Sequence, residues 1–252
     1  MGKVLVVTGA GGGLGSLAAT NEAVNFSEII LIDRNPVKLA AAAAQISSKG
    51  QAEAHCIAGD VSSRKQMEDA LSPLSKMDGL VNAAGVLGPV EMLGNENWQE
   101  WEDAVRVNLV GTASMCSLAI GRLAKSGRGK IVNFAGGGSA TPRPYHSAYA
   151  SSKAGVVRLT EIIASEYPQV DANVIAPGAH KTGIWNTETH DKPPEKWSDE
   201  GRFCALVSFL LSEKSDGISG KFIHINDKWE DFTPDITKSD MFSLRRIEPK
   251  RS

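Results

Sequence analysis

Short, evenly apolar runs alternate with longer amphipathic stretches along most of this chain. Residues 4–7, 28–32, 53–57, 79–81, 130–134, 172–175 and 221–225 read as seven strands. Most are rich in Val, Ile and Leu and lack polar alternation, the pattern of strands buried on both faces of a parallel sheet. Residues 15–25, 36–49, 64–74, 98–124, 149–167 and 200–211, which lie between them, predict helices. This β-α alternation predicts an α/β fold: a Rossmann-type, doubly wound, seven-stranded parallel sheet flanked by helices, in a single domain. Right-handed crossovers bring the C-terminal ends of the strands, and hence a ligand, to one edge.

Two regions break the rhythm. Residues 183–199 hold Trp185, Trp197 and Pro193-Pro194 and read as a lid or substrate loop. Residues 226–252 alternate charge with Trp229, Phe232 and Phe242 and end in basic residues, Arg245-Arg246 and Lys250-Arg251. That stretch is too aromatic for a disordered tail. We therefore expect residues 1–225 to form the domain, loop included, and 226–252 to pack on it or on a neighbouring subunit.

Composition narrows the function classes. At 252 residues the chain is long enough to bury a sizeable core, and its net charge of −2 gives no basic footprint for nucleic acid. Cys56, Cys116 and Cys204 are far apart and lack ligand spacing, so reduced thiols are expected rather than disulfides or a metal site. The N-terminus lacks a signal-peptide pattern, and no apolar stretch approaches the ~18 residues needed to cross a bilayer. A cytoplasmic protein acting on small molecules, away from membranes, is the expectation.

The first chemical signal follows the first strand, where Thr8 begins a segment with Gly9, Gly13 and Gly15 spaced G-x3-G-x-G. A tight strand-to-helix turn that lets a diphosphate approach excludes side chains, and the helix N-terminus offers free N–H groups to the phosphates. Asp33 ends the second strand; its carboxylate can accept hydrogen bonds from both adenosine ribose hydroxyls and repels a 2′-phosphate. That favours NAD. Arg34, next in sequence, can instead pair with a 2′-phosphate, so NADP stays open. The second signal is Tyr149 and Lys153, at i and i+4 on one helical face. An ammonium lowers a phenol's pKa, and such a phenol can pass a proton to or from a substrate oxygen.

Taken together, these segments resemble the short-chain dehydrogenase/reductase family, in its branch of about 250 residues. The ordered matches are Thr8-Gly9-x3-Gly13-Leu14-Gly15, Asp60-Val61, Asn82-Ala83-Ala84-Gly85, Asn108, Tyr149-x3-Lys153 and Pro177-Gly178-x3-Thr182. The resemblance implies an NAD(P)-dependent enzyme interconverting an alcohol and a carbonyl, working as a homodimer or homotetramer. It also implies a role for each match. Asp60 and Val61 bind adenine, and residues 82–85 close the fourth strand against the cofactor. Asn108 distorts its helix and holds a proton-relaying water beside Lys153. Lys153 grips the nicotinamide ribose, Tyr149 is the general acid/base, and Thr182 meets the carboxamide.

One family feature is missing. The serine that usually contacts the substrate oxygen falls at Gly136, preceded by Ala135. Losing such a donor costs on the order of 10²–10³ in rate, which makes Ser139 a candidate replacement, with Thr141 or no replacement as alternatives. Two other readings survive: a cofactor-binding protein with little turnover, and a sugar-nucleotide epimerase or dehydratase, whose substrate domain normally requires a longer chain.

Overall fold

A computed structural model describes residues 2–49 and 52–246; Lys250 and Arg251 lie outside the described residues. Seven parallel strands form one sheet: β1 (Val4–Thr8), β2 (Glu28–Asp33), β3 (Glu53–Ala58), β4 (Gly79–Asn82), β5 (Gly129–Phe134), β6 (Val170–Ala176) and β7 (Phe222–His224). Their spatial order is β3-β2-β1-β4-β5-β6-β7. The chain therefore reverses direction across the sheet between β1 and β4, whose last residues, Thr8 and Asn82, pair in register. A crevice opens at such a switch point, beyond the carboxyl ends of the strands.

The helices form two layers. On one side α1 (Gly13–Glu22), α2 (Pro36–Lys49) and α7 (Glu200–Leu211) cover Leu5, Val7, Ile29 and Leu31. On the other, α3 (Arg64–Leu71), α5 (Thr112–Lys125) and α6 (Ser147–Glu166) cover Val6, Ile30, Leu80 and Ile131. Alternate residues of β1 thus point into opposite layers, which explains why Val4–Val7 are all apolar.

Three departures have clear causes. The expected helix over 98–124 is α4 (Trp98–Val105), a π-helical turn (Arg106–Gly111) and α5. By length and mean hydropathy the continuous run Trp98–Lys125 suffices to cross a bilayer, contrary to the expectation above, yet it packs Met115, Ala119 and Leu123 into the core. Strand β6 begins at Val170 because the buried Asp171 is paired with Lys130 and Arg128, both at 2.8 Å. Strand β3, at the sheet edge, exposes Glu53 and Ile57's neighbours rather than being buried on both faces.

The described residues beyond β7, up to Arg246, fold back on the domain. Trp229 is buried against Phe209, and Arg202 lies over its indole. The Phe222 N–H donates to Phe242 O, and Arg245 pairs with Glu161 and Asp240. All three cysteines are free.

Candidate active site

The loop after β1 makes a floor with no room for side chains. Gly9 has φ +65°, and a Cβ there would come within 2.6 Å of the Ala84 nitrogen. A Cβ on Gly15 would stand 2.2 Å from Gly9 O, and one on Gly13 would stand 2.7 Å from the Thr182 methyl. Such a cradle, at the N-terminus of α1, suits a diphosphate. Asp33 helps to shape it, since its Oδ2 accepts from Gly11 N at 3.1 Å and its Oδ1 from Asn35 N at 3.0 Å. A carboxylate retains lone pairs after two such bonds, so contact with ribose hydroxyls remains open to it. Arg34 reaches toward Asp60 at 3.8 Å, and Lys38, not foreseen from the sequence, joins Arg34 on the cleft wall. Its placement three residues inside the turn after Asn35 is the signal that was available.

A cleft of about 1130 Å³ runs from this floor to the loop at 183–199. Gly9, Gly13, Leu14, Gly15, Arg34, Ala83, Gly85, Pro177, Gly178 and Thr182 line it, together with Ser139, Tyr149 and Lys153. Asp33, Asp60, Val61, Asn82 and Asn108 are not on its wall. Asp60 accepts from Ser62 N at 2.8 Å, and Val61 is buried against Gly111. Asn82 donates to Asn133 Oδ1 at 2.9 Å, which ties β4 to β5, while its own Oδ1 is buried without a hydrogen-bond partner among the described residues.

Asn108 sits within the π-helical turn and is fully buried. Its side chain clasps the main chain of Val86, N and O both at 2.9 Å, and donates to Ser152 Oγ at 3.1 Å. A π-turn adds a residue to the helix and so aims this amide inward. A Cβ on Gly85 would stand 3.1 Å from Asn108 Oδ1 and 3.4 Å from Lys153 Nζ, so the glycine opens the space those two groups share.

Lys153 Nζ donates to Phe134 O at 2.9 Å and lies 5.8 Å from the centre of the Tyr149 ring. Burial pushes the ammonium down to about 8 from its ordinary 10.5. Below about 8 the lysine is charged in folded and unfolded chains alike, and the folded protein bears the full cost of burying it. Between about 8 and 10.5 the unfolded chain binds more protons, so stability rises with pH through that window. Lys153→Met is therefore expected to stabilise the protein at neutral pH, without nucleotide, by on the order of 2 kcal/mol, net of the lost hydrogen bond. Urea unfolding should show this gain fading as pH rises above 8; an equal or absent gain across that range would count against a charged, buried Lys153.

Tyr149 is pushed upward by burial, with the Arg143 cation pulling the other way. The ammonium-lowered phenol expected from sequence is thus not what burial produces. A Cβ at Gly136 would lie 2.3 Å from the Tyr149 hydroxyl oxygen and 2.8 Å from two ring carbons. The tyrosine occupies the space that a serine would need. Ser139 fastens the same turn: its Oγ donates to Gly136 O at 2.7 Å and accepts from Gly136 N at 3.1 Å. Its single proton is thereby committed to the backbone, while Thr141 also lines the cleft.

The loop at 183–199 closes the far end. Trp185 faces the cleft and meets Trp197 edge-on at 5.3 Å. Ser198 N donates to Ala179 O, and Gly178, at φ +78°, leaves room for the Ser198 side chain. Sequence reasoning missed a charged cluster here. Arg143 binds Glu188 at 2.8 Å and Asp191 at 2.7 Å, and His146 Nε2 lies 2.8 Å from Glu188. Burial pushes the Glu188 carboxyl up, but the main-chain N–H groups of Asp191 and His190, together with the His146 side chain, hold it down at about 2. His146, Glu188 and Asp191 bring possible metal-ligating atoms within 4.8 Å of one another, but the Arg143 guanidinium already bridges both carboxylates.

Comparison with known proteins fits this geometry. The sequence model of the short chain dehydrogenase family matches residues 3–193. The D-threitol dehydrogenase of Mycolicibacterium smegmatis is 32% identical over 87% of this chain and 89% of its own length. A 3-oxoacyl-(acyl-carrier-protein) reductase of Aquifex aeolicus is 28% identical over 89% of this chain and 96% of its own. Among solved structures, an NAD+-bound xylitol dehydrogenase superposes with a TM-score of 0.79 at 25% identity, covering 88% of this chain and 97% of that one. With the family's sheet order, glycine cradle and Tyr149/Lys153 pair in place, the chain belongs to the short-chain dehydrogenase/reductase family, whose members are oxidoreductases that use a nicotinamide cofactor.

Proposed function

We propose that this protein interconverts a secondary alcohol of a small polyol and the corresponding carbonyl, with NAD preferred over NADP and Tyr149 as general acid/base. The observation that carries the proposal is one cleft holding the glycine cradle, the buried Lys153 and the Tyr149 hydroxyl. The likeness to a D-threitol dehydrogenase and an NAD+-bound xylitol dehydrogenase supports the polyol and the cofactor. Thr141, Asn186 and Thr187, at the far end of the cleft, offer polar groups suited to further hydroxyls.

When bound, the nicotinamide supplies the acceptor or donor of hydride. The protein's own residues do the rest. The cradle at Gly9, Gly13 and Gly15 would hold the diphosphate and Asp33 the adenosine ribose, with Lys153 and Thr182 nearer the nicotinamide end. Tyr149 takes the hydroxyl proton during oxidation and returns it to the carbonyl oxygen during reduction. Because burial keeps the phenol protonated, oxidation should climb with pH while reduction falls. By family likeness the working form is a homodimer or homotetramer, and Trp98, Val110 and Ile162 expose apolar surface on the helices expected to pair. The reduced cysteines expected from the sequence suit the cytoplasm.

Asp33→Ala removes the carboxylate that would repel a 2′-phosphate and leaves Lys38 and Arg34, the latter 3.8 Å from Asp60, on the cleft wall. It is expected to shift the ratio of kcat/KM values toward NADP by about tenfold or more. An unchanged ratio would remove Asp33 from cofactor selection. The proposal as a whole is tested by titrating NADH and NADPH by fluorescence, then screening polyols, simple alcohols and sugar nucleotides for oxidation. Cofactor binding without turnover would favour a sensor or assembly protein, the reading to which the serine-free Gly136 lends support.

A further inference from the structure

The glycines at 136–138 make room for a second group besides the tyrosine. Arg143 stands between Pro142 and Pro144 on the loop that leads into α6. Its Nε and Nη2 donate to Asp191, and Nη2 also donates to Glu188, so the lid fixes the guanidinium from outside. Nη1 makes no hydrogen bond among the described residues and lies 3.5 Å from where a Gly137 Cβ would be. Gly138, at φ +91°, would bring a Cβ within 3.0 Å of Arg143 Cβ. The guanidinium carbon is 5.9 Å from the centre of the Tyr149 ring and lines the cleft.

We propose that Arg143 is a positioning residue for the reaction, supplying from the substrate side the electrostatic support that the absent serine cannot give. The inference rests on Tyr149 being the acid/base. Its physical basis is a fixed cation about 6 Å from a phenol in a partly water-excluded cleft, which favours the phenolate. The other charged groups near the ring are distributed differently. Lys153 belongs to the same helix and is bonded to Phe134 O. His146 is turned to Pro144 O and Glu188. Glu100 and Asp103 of α4 line the cleft, and Glu188 and Asp191 approach only through Arg143. Arg143 acts on the Tyr149 phenol in the lowering sense. Lys153 acts in the same sense only while charged, and burial brings it down to about 8, so above that pH the guanidinium is the cation that remains beside the ring.

The same arrangement assigns the lid loop a part in the chemistry. Glu188 and Asp191 orient the cation and partly neutralise it, so their loss should strengthen its effect on the tyrosine. This separates an electrostatic role from simple bracing of the loop. Bracing predicts the same direction of change for any variant that breaks the cluster.

The test is the alkaline titration of Tyr149 in the full-length protein, read as phenolate absorbance against Tyr149→Phe as blank, beside the pH profile of alcohol oxidation. Arg143→Gln is expected to move the phenolate titration upward by about one pH unit and to shift the acidic limb of kcat with it. Arg143→Lys, which keeps the charge, should retain most of the wild-type titration. Asp191→Asn removes countercharge at the exposed end of the pair and should move the titration downward. An unmoved titration in Arg143→Gln, or the same direction of shift in both variants, overturns the proposal. Should Arg143→Gln fail to fold, the sign of the Asp191→Asn shift decides. If the wild-type protein oxidises nothing, the reading of its function fails, while the titration still judges Arg143.

Discussion

Tyr149→Phe should lower turnover by roughly 10³-fold while leaving nicotinamide nucleotide binding intact. The phenol sits in the cleft shared by the glycine cradle and Lys153, and no other hydroxyl there combines burial with a free proton. Ser139, the nearest alternative, gives its proton to Gly136 O. Water reaching the cleft of the Phe variant could take over part of the proton transfer, but without the fixed orientation that makes a positioned acid effective. The ring itself stays, so packing against Gly136 and stability should change little. The comparison to make is steady-state kcat beside fluorescence titration of the nucleotide. A Phe variant that keeps a tenth or more of wild-type turnover would assign the proton to another group.

The second large effect runs against family pattern. Gly136→Ser puts back the residue that relatives of this type usually carry, yet turnover should fall by about 10²-fold. With a Cβ only 2.3 Å from the hydroxyl oxygen, either Tyr149 or the turn must move by about an ångström. Crowding of this kind typically also costs about 1–3 kcal/mol of stability. Gly136→Ala should produce nearly the same loss, since the clash belongs to the Cβ and not to the hydroxyl. If the serine variant turns over faster than wild type while the alanine variant does not, the tyrosine has room that the geometry denies it.

The fold was legible because its signals are local. Runs such as Val4–Val7 are apolar throughout only when both faces are covered, and that alone points to a parallel sheet between helices. Where a strand carries a buried polar residue, as β6 does at Asp171, the pattern hides its start, because the ion pairs to Lys130 and Arg128 come from distant sequence. The break of the long helix at Asn108 is similarly invisible to periodicity; it is set by the clasp on Val86 across the cleft.

The candidate site divides along the same line. Gly9, Tyr149, Lys153 and Thr182 could be picked out by spacing, and the structure brings them to one cleft. What spacing could not show is that Gly136 is the surface on which Tyr149 rests, or that Arg143 finds Glu188 and Asp191 on a loop more than forty residues away. A basic residue held between two prolines just ahead of the tyrosine was the one visible hint. Asp33 was legible as a candidate for the ribose from its place at the end of β2, but not as the anchor of Gly11.

The most direct measurement follows the hydride itself. Wild-type protein and Tyr149→Phe are each given NAD and a polyol deuterated at its carbinol carbons, and the recovered cofactor is weighed by mass spectrometry. The account predicts deuterium on the nicotinamide with wild type and almost none with the variant, both proteins binding the nucleotide equally. Wild-type protein that binds NAD yet transfers no deuterium from any polyol or simple alcohol would contradict it.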